Sequence, residues 1–290
     1  MEIKKVTVMG AGLMGTGIAQ VVAEAGFETN WYDVSQSQLD KGRATIERLL
    51  NRKVEKGRCD TAHVQRTLGC LRPTTDIQVV AESDLVLEAV PENLELKQKV
   101  FKQLDELAPA HTILATNTSA LSVAAIASAT RHPERVIGAH FFYPVPVMDL
   151  LEVTPGLLTT EQVFETMMTF ARQIGKTPVV CKDYPGFIVN RLLIPMVNEA
   201  IYLVMEGVKP ENVDTAMKIG ANHPMGPITL ADFVGLDTLL YTMEGIYNGF
   251  RDSKYRPCPL LVKMVEAGLY GRKTGRGFYK YNEKGEKIES

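Results

Sequence analysis

The sequence predicts an α/β fold, with a doubly wound and mostly parallel sheet followed by a second, all-helical domain. Up to about residue 184, short apolar segments typical of buried strands alternate with amphipathic helices. This alternation indicates parallel strands joined by right-handed crossovers. Beyond that point the segments are typical of helices, with Gly and Pro near the joints. We therefore expect one domain over residues 1–184 and another over residues 185–290.

The composition is that of an ordinary soluble globular protein. Of 290 residues, 45% are hydrophobic and 23% are charged, and the formal net charge is −2. A chain with no broad basic field is not expected to bind nucleic acid or a membrane surface. No stretch is long enough to span a bilayer, and the first strand begins too close to Met1 for a signal peptide, so we expect a cytoplasmic protein. The four cysteines lack metal-ligand spacing, and we expect no metal site.

The first predicted strand, Lys4–Met9, continues directly into a glycine loop. This loop reads Gly10-Ala11-Gly12-Leu13-Met14-Gly15, and a predicted helix from Leu13 to Ala25 follows. In this order the glycines allow a tight turn, close approach of a pyrophosphate, and close packing of the helix on the strand. The amides at the helix N-terminus favour phosphate. The stretch predicts a dinucleotide site formed by Gly10, Gly12, Leu13, Met14 and Gly15.

An acidic residue ends the next predicted strand, Glu28–Tyr32. Asp33 stands at the distance from Gly10 where a ribose-binding acid is expected. A carboxylate there accepts hydrogen bonds from a free 2′-hydroxyl and repels a 2′-phosphate, so NAD is favoured over NADP. Glycines alone could merely close a tight turn. The strand, helix and acid around them favour the cofactor interpretation, and the fold is then of the Rossmann type.

The alternation continues through the middle of the chain. The predicted elements are a helix over 35–56, a strand over 85–90, a helix over 93–107 and a strand over 112–115. Glu92 and Ser119 fall beyond the carboxyl ends of two of these strands, where such sheets bind ligands. From position alone, Glu92 could simply favour its helix start, and a plain helix cap is the better interpretation of Ser119. Most basic residues of the helix over 35–56 are expected on a solvated face, although a few could meet a phosphate-bearing substrate.

Two apolar runs, Val136–Tyr143 and Val147–Val153, predict a hairpin centred near Pro146. In that register His140 faces Glu152 across the strands. A carboxylate beside a histidine fixes its tautomer and stabilises the imidazolium, which suits a general base. A core histidine satisfied by a structural acid is an equally good interpretation of the pairing alone.

The rest of the chain is predicted mainly as helices. Thr159–Gln162 matches a capping box for a helix ending at Ile174, and Thr177–Cys181 is the last predicted strand. In the second domain, helices are predicted over 188–206, 212–219, 228–247 and 259–267. The basic, glycine-rich segment Gly271–Tyr279 indicates only a turn.

Six segments spread over the whole chain carry a family resemblance. They are GAGLMGTGIAQ, ATNTSALS, GAHFFYPVPVMDLLEV, DYPGFIVNRLL, HPMGPITLADFVGLDT and GRKTGRGFY. Together they resemble the 3-hydroxyacyl-CoA dehydrogenase family, particularly its short bacterial 3-hydroxybutyryl-CoA dehydrogenase members. The resemblance implies an NAD-dependent, reversible oxidation of an L-3-hydroxyacyl-CoA, such as 3-hydroxybutyryl-CoA, within fatty acid metabolism. It also implies a homodimer formed through the helical domain, which would close the active site.

The resemblance further assigns roles to individual residues. His140 would be the general base and Glu152 its orienting partner. Ser119 and Asn190 match positions that contact substrate and cofactor, and we count them with the catalytic residues. Glu92 and Lys97 match positions near the cofactor, and Lys56 falls in the helical region that approaches coenzyme A.

Two departures from the family pattern concern the substrate. Tyr143 stands where the family usually has an asparagine near the reacting group, and Asp149 stands where a lysine is common. They motivate a second hypothesis, in which the same fold and His/Glu pair act on a carrier-protein-bound hydroxyacyl group or a free hydroxy acid. A third is a nucleotide-binding structural protein without chemistry. The joint presence of His140, Glu152, Ser119 and Asn190 argues against the third.

Overall fold

The structure is a computed structural model that describes residues 2–288, and it divides into two units between Asp183 and Tyr184. The first unit alternates strands and helices. Its elements are β1 (Lys5–Met9), α1 (Leu13–Glu24), β2 (Glu28–Tyr32), α2 (Gln36–Glu55), α3 (Thr61–Cys70), β3 (Leu71–Thr74), β4 (Leu85–Glu88), α4 (Leu94–Leu107), β5 (Ile113–Thr116), α5 (Val123–Ala127), β6 (Val136–Phe141), β7 (Leu150–Pro155), α6 (Glu161–Gln173) and β8 (Thr177–Val180).

One eight-stranded sheet runs through the first unit, in the order β3-β2-β1-β4-β5-β6-β7-β8. All neighbouring pairs are parallel except β6 and β7, which form the antiparallel hairpin. The doubly wound, Rossmann-type prediction is confirmed. The strand order reverses between β1 and β4, and ligands of such sheets bind beyond the carboxyl ends of the strands at that point.

The core of this unit fixes the glycine loop. Trp31 on β2 is fully buried, and its indole Nε1 donates to the carbonyl oxygen of Gly10 at 3.0 Å. Gly42 on α2 faces the same ring, because a Cβ there would overlap the indole. The burial that stabilises the packing of α2 on the sheet therefore also holds the first turn of the loop.

Two predicted helix starts are wrong. The residue that caps α6 is Thr160, whose hydroxyl accepts from the Val163 amide at 3.4 Å. Thr159 instead accepts from Gly156 N at 2.8 Å and donates to Val136 O, so the preceding turn uses its hydroxyl. The cap of α5 is Ser122 and not Ser119.

The second unit is helical apart from one short antiparallel strand pair. Its elements are α7 (Val189–Met205), α8 (Pro210–Gly220), α9 (Pro227–Val234), α10 (Leu236–Phe250), α11 (Pro259–Glu266), β9 (Lys280–Tyr281) and β10 (Lys287–Ile288). The prediction of one helix over 228–247 is wrong. Gly235 breaks it with a φ of 100°, a left-handed conformation that an α-helix does not contain. None of the helices described between residues 2 and 288 is long and apolar enough to cross a membrane.

The glycine-rich segment near the C-terminus is a turn held by a buried carboxylate. Asp232 on α9 accepts from the amides of Phe278 and Tyr279, at 3.0 and 2.9 Å, and from the Tyr281 hydroxyl at 3.0 Å. Burial raises the pKa of Asp232, although these hydrogen bonds lower it. A Cβ on Gly277 would overlap this carboxylate, so the glycine is needed for packing.

Candidate active site

The glycine loop lies between the end of β1 and the start of α1. Gly10 has a φ of 104°, and a Cβ there would lie 2.7 Å from the carbonyl oxygen of Ala89. A Cβ on Gly15 would overlap the Gly10 carbonyl oxygen. Both glycines are therefore required by the packing of the protein itself. A Cβ on Gly12, by contrast, would meet nothing within 4 Å, so open space lies in front of this residue.

The first turn of α1 faces that space without a side-chain cap. Gly12 occupies the N-cap position and has no side chain with which to cap the first amides of the helix. The first turn also contains no acidic residue. Leu13 is highly exposed beside it. Helix N-termini with uncapped amides favour anions, because the amides and the helix dipole both present positive charge. The loop residues therefore fit the pyrophosphate of a dinucleotide.

The carboxylate of Asp33 is fixed beside this loop. Its Oδ2 accepts from the amide of Ala11 at 2.7 Å, and its Oδ1 accepts from the amide of Ser35 at 2.9 Å. Each carboxylate oxygen has a second lone pair for a further hydrogen bond. The acid is therefore oriented before any ligand binds and fits a ribose hydroxyl.

Glu92 joins the two loops that follow β4 and β5. Its Oε1 accepts from the Thr118 hydroxyl at 2.6 Å, from the amides of Ser119 and Ala120 at 2.8 and 3.1 Å, and from the Ser119 hydroxyl at 3.3 Å. The start of α4 is capped by Asn93 instead, whose Oδ1 accepts from the Leu96 amide at 2.9 Å. Glu92 therefore orders the loop after β5, and the start of α4 does not depend on it for a cap.

A buried ion pair lies beneath Glu92. The side chains of Lys97 and Glu88 are both 0% exposed, and their Nζ and Oε1 atoms are 2.7 Å apart. Glu88 also accepts from the Thr116 hydroxyl and from the Val90 amide, each at 2.7 Å. Burial raises the pKa of Glu88 even though Lys97 lowers it. Lys97 Nζ lies 3.5 Å from Glu92 Oε2, so the ammonium orients both carboxylates from inside the protein.

His140 and Glu152 are directly opposite each other in the β6–β7 ladder. His140 Nδ1 lies 2.7 Å from Glu152 Oε2, and both residues are buried. The predicted pairing is confirmed. A carboxylate can only accept here, so in the neutral ring Nδ1 carries the hydrogen. This assigns the lone pair to Nε2, the nitrogen that can take a proton. The next residue, Phe141, donates its amide to Asn117 Oδ1 at 2.9 Å, which ties β6 to the loop after β5.

A cleft of about 950 Å³ opens between the start of α1, one face of α2 and the loop over residues 143–147. Tyr143 lines it and is 57% exposed. The basic side chains that line it are Lys41, Arg48, Arg52, Lys53, Lys56 and Arg58. The solvated-face interpretation suits Arg43, which pairs with Glu47 at 3.1 Å. The basic residues that line the cleft are exposed too, apart from the half-buried Lys53, which pairs with Glu24 at 2.7 Å. The solvated face of α2 is therefore also a basic wall of the cleft.

The chain matches two family models. The NAD binding domain of 3-hydroxyacyl-CoA dehydrogenase covers residues 5–184, and the C-terminal domain of the same family covers residues 186–281. The chain belongs to the 3-hydroxyacyl-CoA dehydrogenase family. It is thus an NAD-dependent oxidoreductase by family, as the resemblance implied.

Individual relatives of this 3-hydroxyacyl-CoA dehydrogenase family member align over nearly its full length. A probable 3-hydroxybutyryl-CoA dehydrogenase of Bacillus subtilis (strain 168) is 50% identical, over 98% of this chain and 99% of the relative. The mitochondrial hydroxyacyl-coenzyme A dehydrogenase of Homo sapiens is 45% identical, over 96% and 91%. The crystal structure of (S)-3-hydroxybutyryl-CoA dehydrogenase from Ralstonia eutropha has a TM-score of 0.95 and 43% identity, over 97% and 100%.

In this family member the structure brings most of the predicted site residues into the first unit. Asn190 is in the second unit, as the second residue of α7, and its role in the site stays a prediction. Within residues 2–288, no group of three or more His, Cys, Asp or Glu side chains is placed to hold a metal ion.

Two residues that hold the loops after β4 and β5 in place, Glu88 and Asn117, were not predicted from sequence. Glu88 ends an otherwise apolar strand, and a charged residue at the carboxyl end of a buried strand is the signal that could have identified it. Asn117 falls in the predicted loop after β5. Its specific contact with β6 has no counterpart in the local sequence pattern.

Proposed function

We propose that this protein oxidises the 3-hydroxyl of an L-3-hydroxyacyl-CoA, such as 3-hydroxybutyryl-CoA, to the 3-keto product with NAD, and that the reaction is reversible. The observation that carries the proposal is the buried pair of His140 and Glu152, held at 2.7 Å in the sheet that also bears the glycine loop. Family membership supports the reaction class, and the names of the relatives support the substrate.

We assign NAD to the glycine loop and its neighbours. Gly12, Leu13 and Met14 would hold the pyrophosphate, since the space before Gly12 is open and the helix start is uncapped. Gly10 and Gly15 would keep the loop in the shape that brings it close to the ligand. Asp33 would bind the ribose. Glu92, and Lys97 through Glu92, would shape the part of the site beyond β4 and β5 together with Ser119. When bound, the nicotinamide supplies the acceptor for the hydride of the substrate carbinol carbon.

In this proposal His140 moves the proton. Its Nε2 takes the proton of the 3-hydroxyl, while Nδ1–H continues to donate a hydrogen bond to Glu152. The carboxylate keeps the ring in the required tautomer and stabilises the imidazolium that forms. Reduction uses the same groups in reverse, with His140 donating the proton. Ser119 and Asn190 are assigned to contact the substrate near this position.

The acyl-CoA substrate is assigned to the cleft. Its volume of about 950 Å³ suits a large ligand. Six basic residues line it, and of these Lys53 is paired with Glu24. Lysine and arginine side chains complement phosphate groups, of which coenzyme A carries three. We place the nucleotide end against this basic face, which includes Lys56. Tyr143 also lines the cleft and lies three positions from His140 in the chain, so it would contact the part of the substrate nearer to the catalytic pair.

A second candidate function is favoured by the exposed ring of Tyr143. A tyrosine on the cleft wall adds an aromatic surface and a hydroxyl where the family usually has a smaller amide, and this could suit a carrier-bound hydroxyacyl group or a free hydroxy acid. In either case His140 and Glu152 would perform the same proton transfer, so the two functions differ only in what the cleft recognises.

Turnover of three substrates tests the proposal. We expect NADH oxidation with acetoacetyl-CoA to exceed that with acetoacetyl-carrier protein or free acetoacetate by about 100-fold in kcat/KM, because only coenzyme A brings phosphates to the basic face. NADPH is expected to be a poor substitute for NADH, because Asp33 repels a 2′-phosphate. Preference for the carrier-bound substrate would select the second function, and failure of all three substrates would refute both.

A Tyr143→Asn variant run beside the wild type measures the contribution of this side chain. We expect kcat with acetoacetyl-CoA to stay within about threefold, because Tyr143 lies beyond the end of the β6–β7 ladder that pairs His140 with Glu152. Slow wild-type turnover that the variant restores by more than tenfold would contradict this, and would mean that Tyr143 directs the cleft to another substrate.

We also propose that the protein is a homodimer formed through the second unit. Large apolar side chains stay exposed on it, including Leu192 at 70%, Ile219 at 80% and Phe233 at 48%. Exposed apolar groups are typical of interaction surfaces where they form one contiguous patch. Sedimentation velocity at micromolar concentration is expected to give twice the mass of one chain, whereas a single-chain mass would contradict the dimer. The cytoplasmic location stays a prediction.

A further inference from the structure

The loop over residues 142–149 joins β6 to β7, and its residues 143–147 form one wall of the cleft. It turns at Pro144, whose carbonyl oxygen accepts from the amides of Val147 and Met148 at 2.9 and 3.0 Å. Helix α1 backs it closely, because a Cβ on Gly17 would lie 2.8 Å from the Cβ of Val145. The wall is therefore set by contacts inside the protein.

Lys176 supports this loop from the protein interior. The residue lies between α6 and β8 and is only 7% exposed. Its Nζ donates to the carbonyl oxygens of Val145 and Met148, at 2.6 and 2.7 Å. The position of Lys176 is set by the sheet, since the amide of Thr177 donates to the carbonyl of Asp149 at 2.7 Å and begins the pairing of β8 with β7.

These contacts specify one conformation of the loop. Two carbonyls that are three residues apart point at the same ammonium only when the chain between them is turned as observed here. A buried charge is costly unless hydrogen bonds satisfy it, so loss of this turn would leave the ammonium poorly solvated. Burial lowers the pKa of Lys176, with Asp149 and Glu24 raising it and Lys53 lowering it.

We infer that Lys176 is a positioning residue for the acyl-CoA site, because it fixes the wall that carries Tyr143. This role rests on the proposed function, since it assigns Lys176 to the cleft that would hold the substrate. The strand that carries His140 ends at Phe141, before the loop, and the His140–Glu152 contact belongs to the β6–β7 ladder. Loosening the loop should therefore weaken substrate binding and leave the proton transfer largely intact.

Replacement of Lys176 by methionine tests the role. Methionine keeps the length of an unbranched side chain but removes the donor and the charge. With acetoacetyl-CoA and NADH we expect the KM for acetoacetyl-CoA to rise about tenfold, with kcat within about threefold and the KM for NADH unchanged. Lys102→Met on α4, an exposed lysine with the same change of charge, is the matched control and should behave as wild type.

A truncated substrate separates positioning from charge. Acetoacetyl-pantetheine lacks the phosphates of coenzyme A. If Lys176→Met weakened binding only by removing a positive charge, the KM for this substrate would not change. We expect the same rise in KM for both substrates. An unchanged KM for acetoacetyl-pantetheine would overturn the positioning role. A fall in kcat together with an equal rise in the KM for NADH would overturn it as well.

Hydrogen exchange makes the inference independent of the proposed function. In Lys176→Met the amides of Val147 and Met148 are expected to exchange at least about tenfold faster, because their turn has lost its support. Should the wild type turn over no acyl-CoA, the proposed function fails, and unchanged exchange in the variant would still overturn the role of Lys176. Lys176→Arg keeps the charge and the donors, and should fall between wild type and Lys176→Met in both measurements.

Discussion

Replacing His140 by glutamine is expected to lower kcat by about 10³-fold, because general base catalysis by a positioned side chain contributes about 10²- to 10⁴-fold. Glutamine can still donate a hydrogen bond to Glu152, so the hairpin pairing is kept. It can neither take the proton from the 3-hydroxyl nor donate it in the reverse reduction that the assay follows. Binding of NADH should not change, since His140 lies outside the glycine loop. Single-turnover oxidation of NADH with acetoacetyl-CoA measures the chemical step directly.

The chain offers a matched control for this variant. His132 also pairs with a carboxylate through Nδ1, which lies 3.1 Å from Asp105 Oδ1. It precedes the amino end of β6, away from His140, and Asp105 also pairs there with Arg135. His132→Gln makes the same chemical change and should leave kcat within about twofold. A His140→Gln variant as active as wild type would remove the catalytic assignment.

Glu152→Gln tests the tautomer independently. A glutamine at this position can donate its amide hydrogen to Nδ1, which would move the ring hydrogen to Nε2 and leave the wrong nitrogen facing the substrate. In the serine protease triad the corresponding change of aspartate to asparagine lowers kcat by about 10⁴-fold, so a loss of at least about 10²-fold is expected here. A smaller loss would mean that Glu152 serves mainly to satisfy a buried histidine.

Sequence patterns predict the parts of this site that depend on local geometry. The glycine loop and Asp33 follow a fixed strand, loop, helix and strand order, and the structure places the acid against the loop at Ala11. The pairing of His140 with Glu152 follows from the two-residue period of strands and the position of the turn, which together fix the register. The catalytic roles of these residues remain predictions.

The parts that depend on long-range contacts could not be predicted. Lys176 bonds to backbone carbonyls, which every residue has, so no side-chain pattern marks its partners. The break at Gly235 was missed because the apolar spacing continues across it, although its φ of 100° ends the helix. Glu88 stands out in the sequence as the charged end of an apolar strand, but its pairing with Lys97, nine positions further on, depends on the packing of α4 on the sheet.

The buried pair of Lys97 and Glu88 is expected to have a large effect on the stability of the fold. Lys97→Met is expected to lower the free energy of unfolding by about 3–5 kcal/mol, because removal of one partner leaves a buried charge without compensation. Adding Glu88→Gln should recover most of this loss, since glutamine is neutral and can still accept from the Thr116 hydroxyl. Urea denaturation of the two single variants, the double variant and wild type measures the interaction between the sites.

The deficit of Lys97→Met should also depend on pH. Burial already raises the pKa of Glu88, and the variant removes the lysine that lowers it. A carboxyl whose pKa is raised in the folded state stabilises the fold below its unfolded pKa, and this contribution is lost as pH rises through the folded value. The variant should therefore be closer to wild type at pH 5.5 than at pH 8. The double variant should not show this difference, and an equal deficit at both pH values would contradict an ionised, unpaired Glu88.

Cofactor affinity then separates the two roles of Lys97. The double variant removes the buried charges but does not restore the contact of Lys97 with Glu92 at 3.5 Å, or those with the carbonyls of Val90 and Asn117. Glu92 organises the 118–120 loop, so this loop should stay less ordered after stability is recovered. We expect the double variant to bind NADH about tenfold more weakly than wild type, a typical effect of losing one charged hydrogen bond. Wild-type affinity would mean that Lys97 only neutralises Glu88, and that Glu92 holds the loop without it.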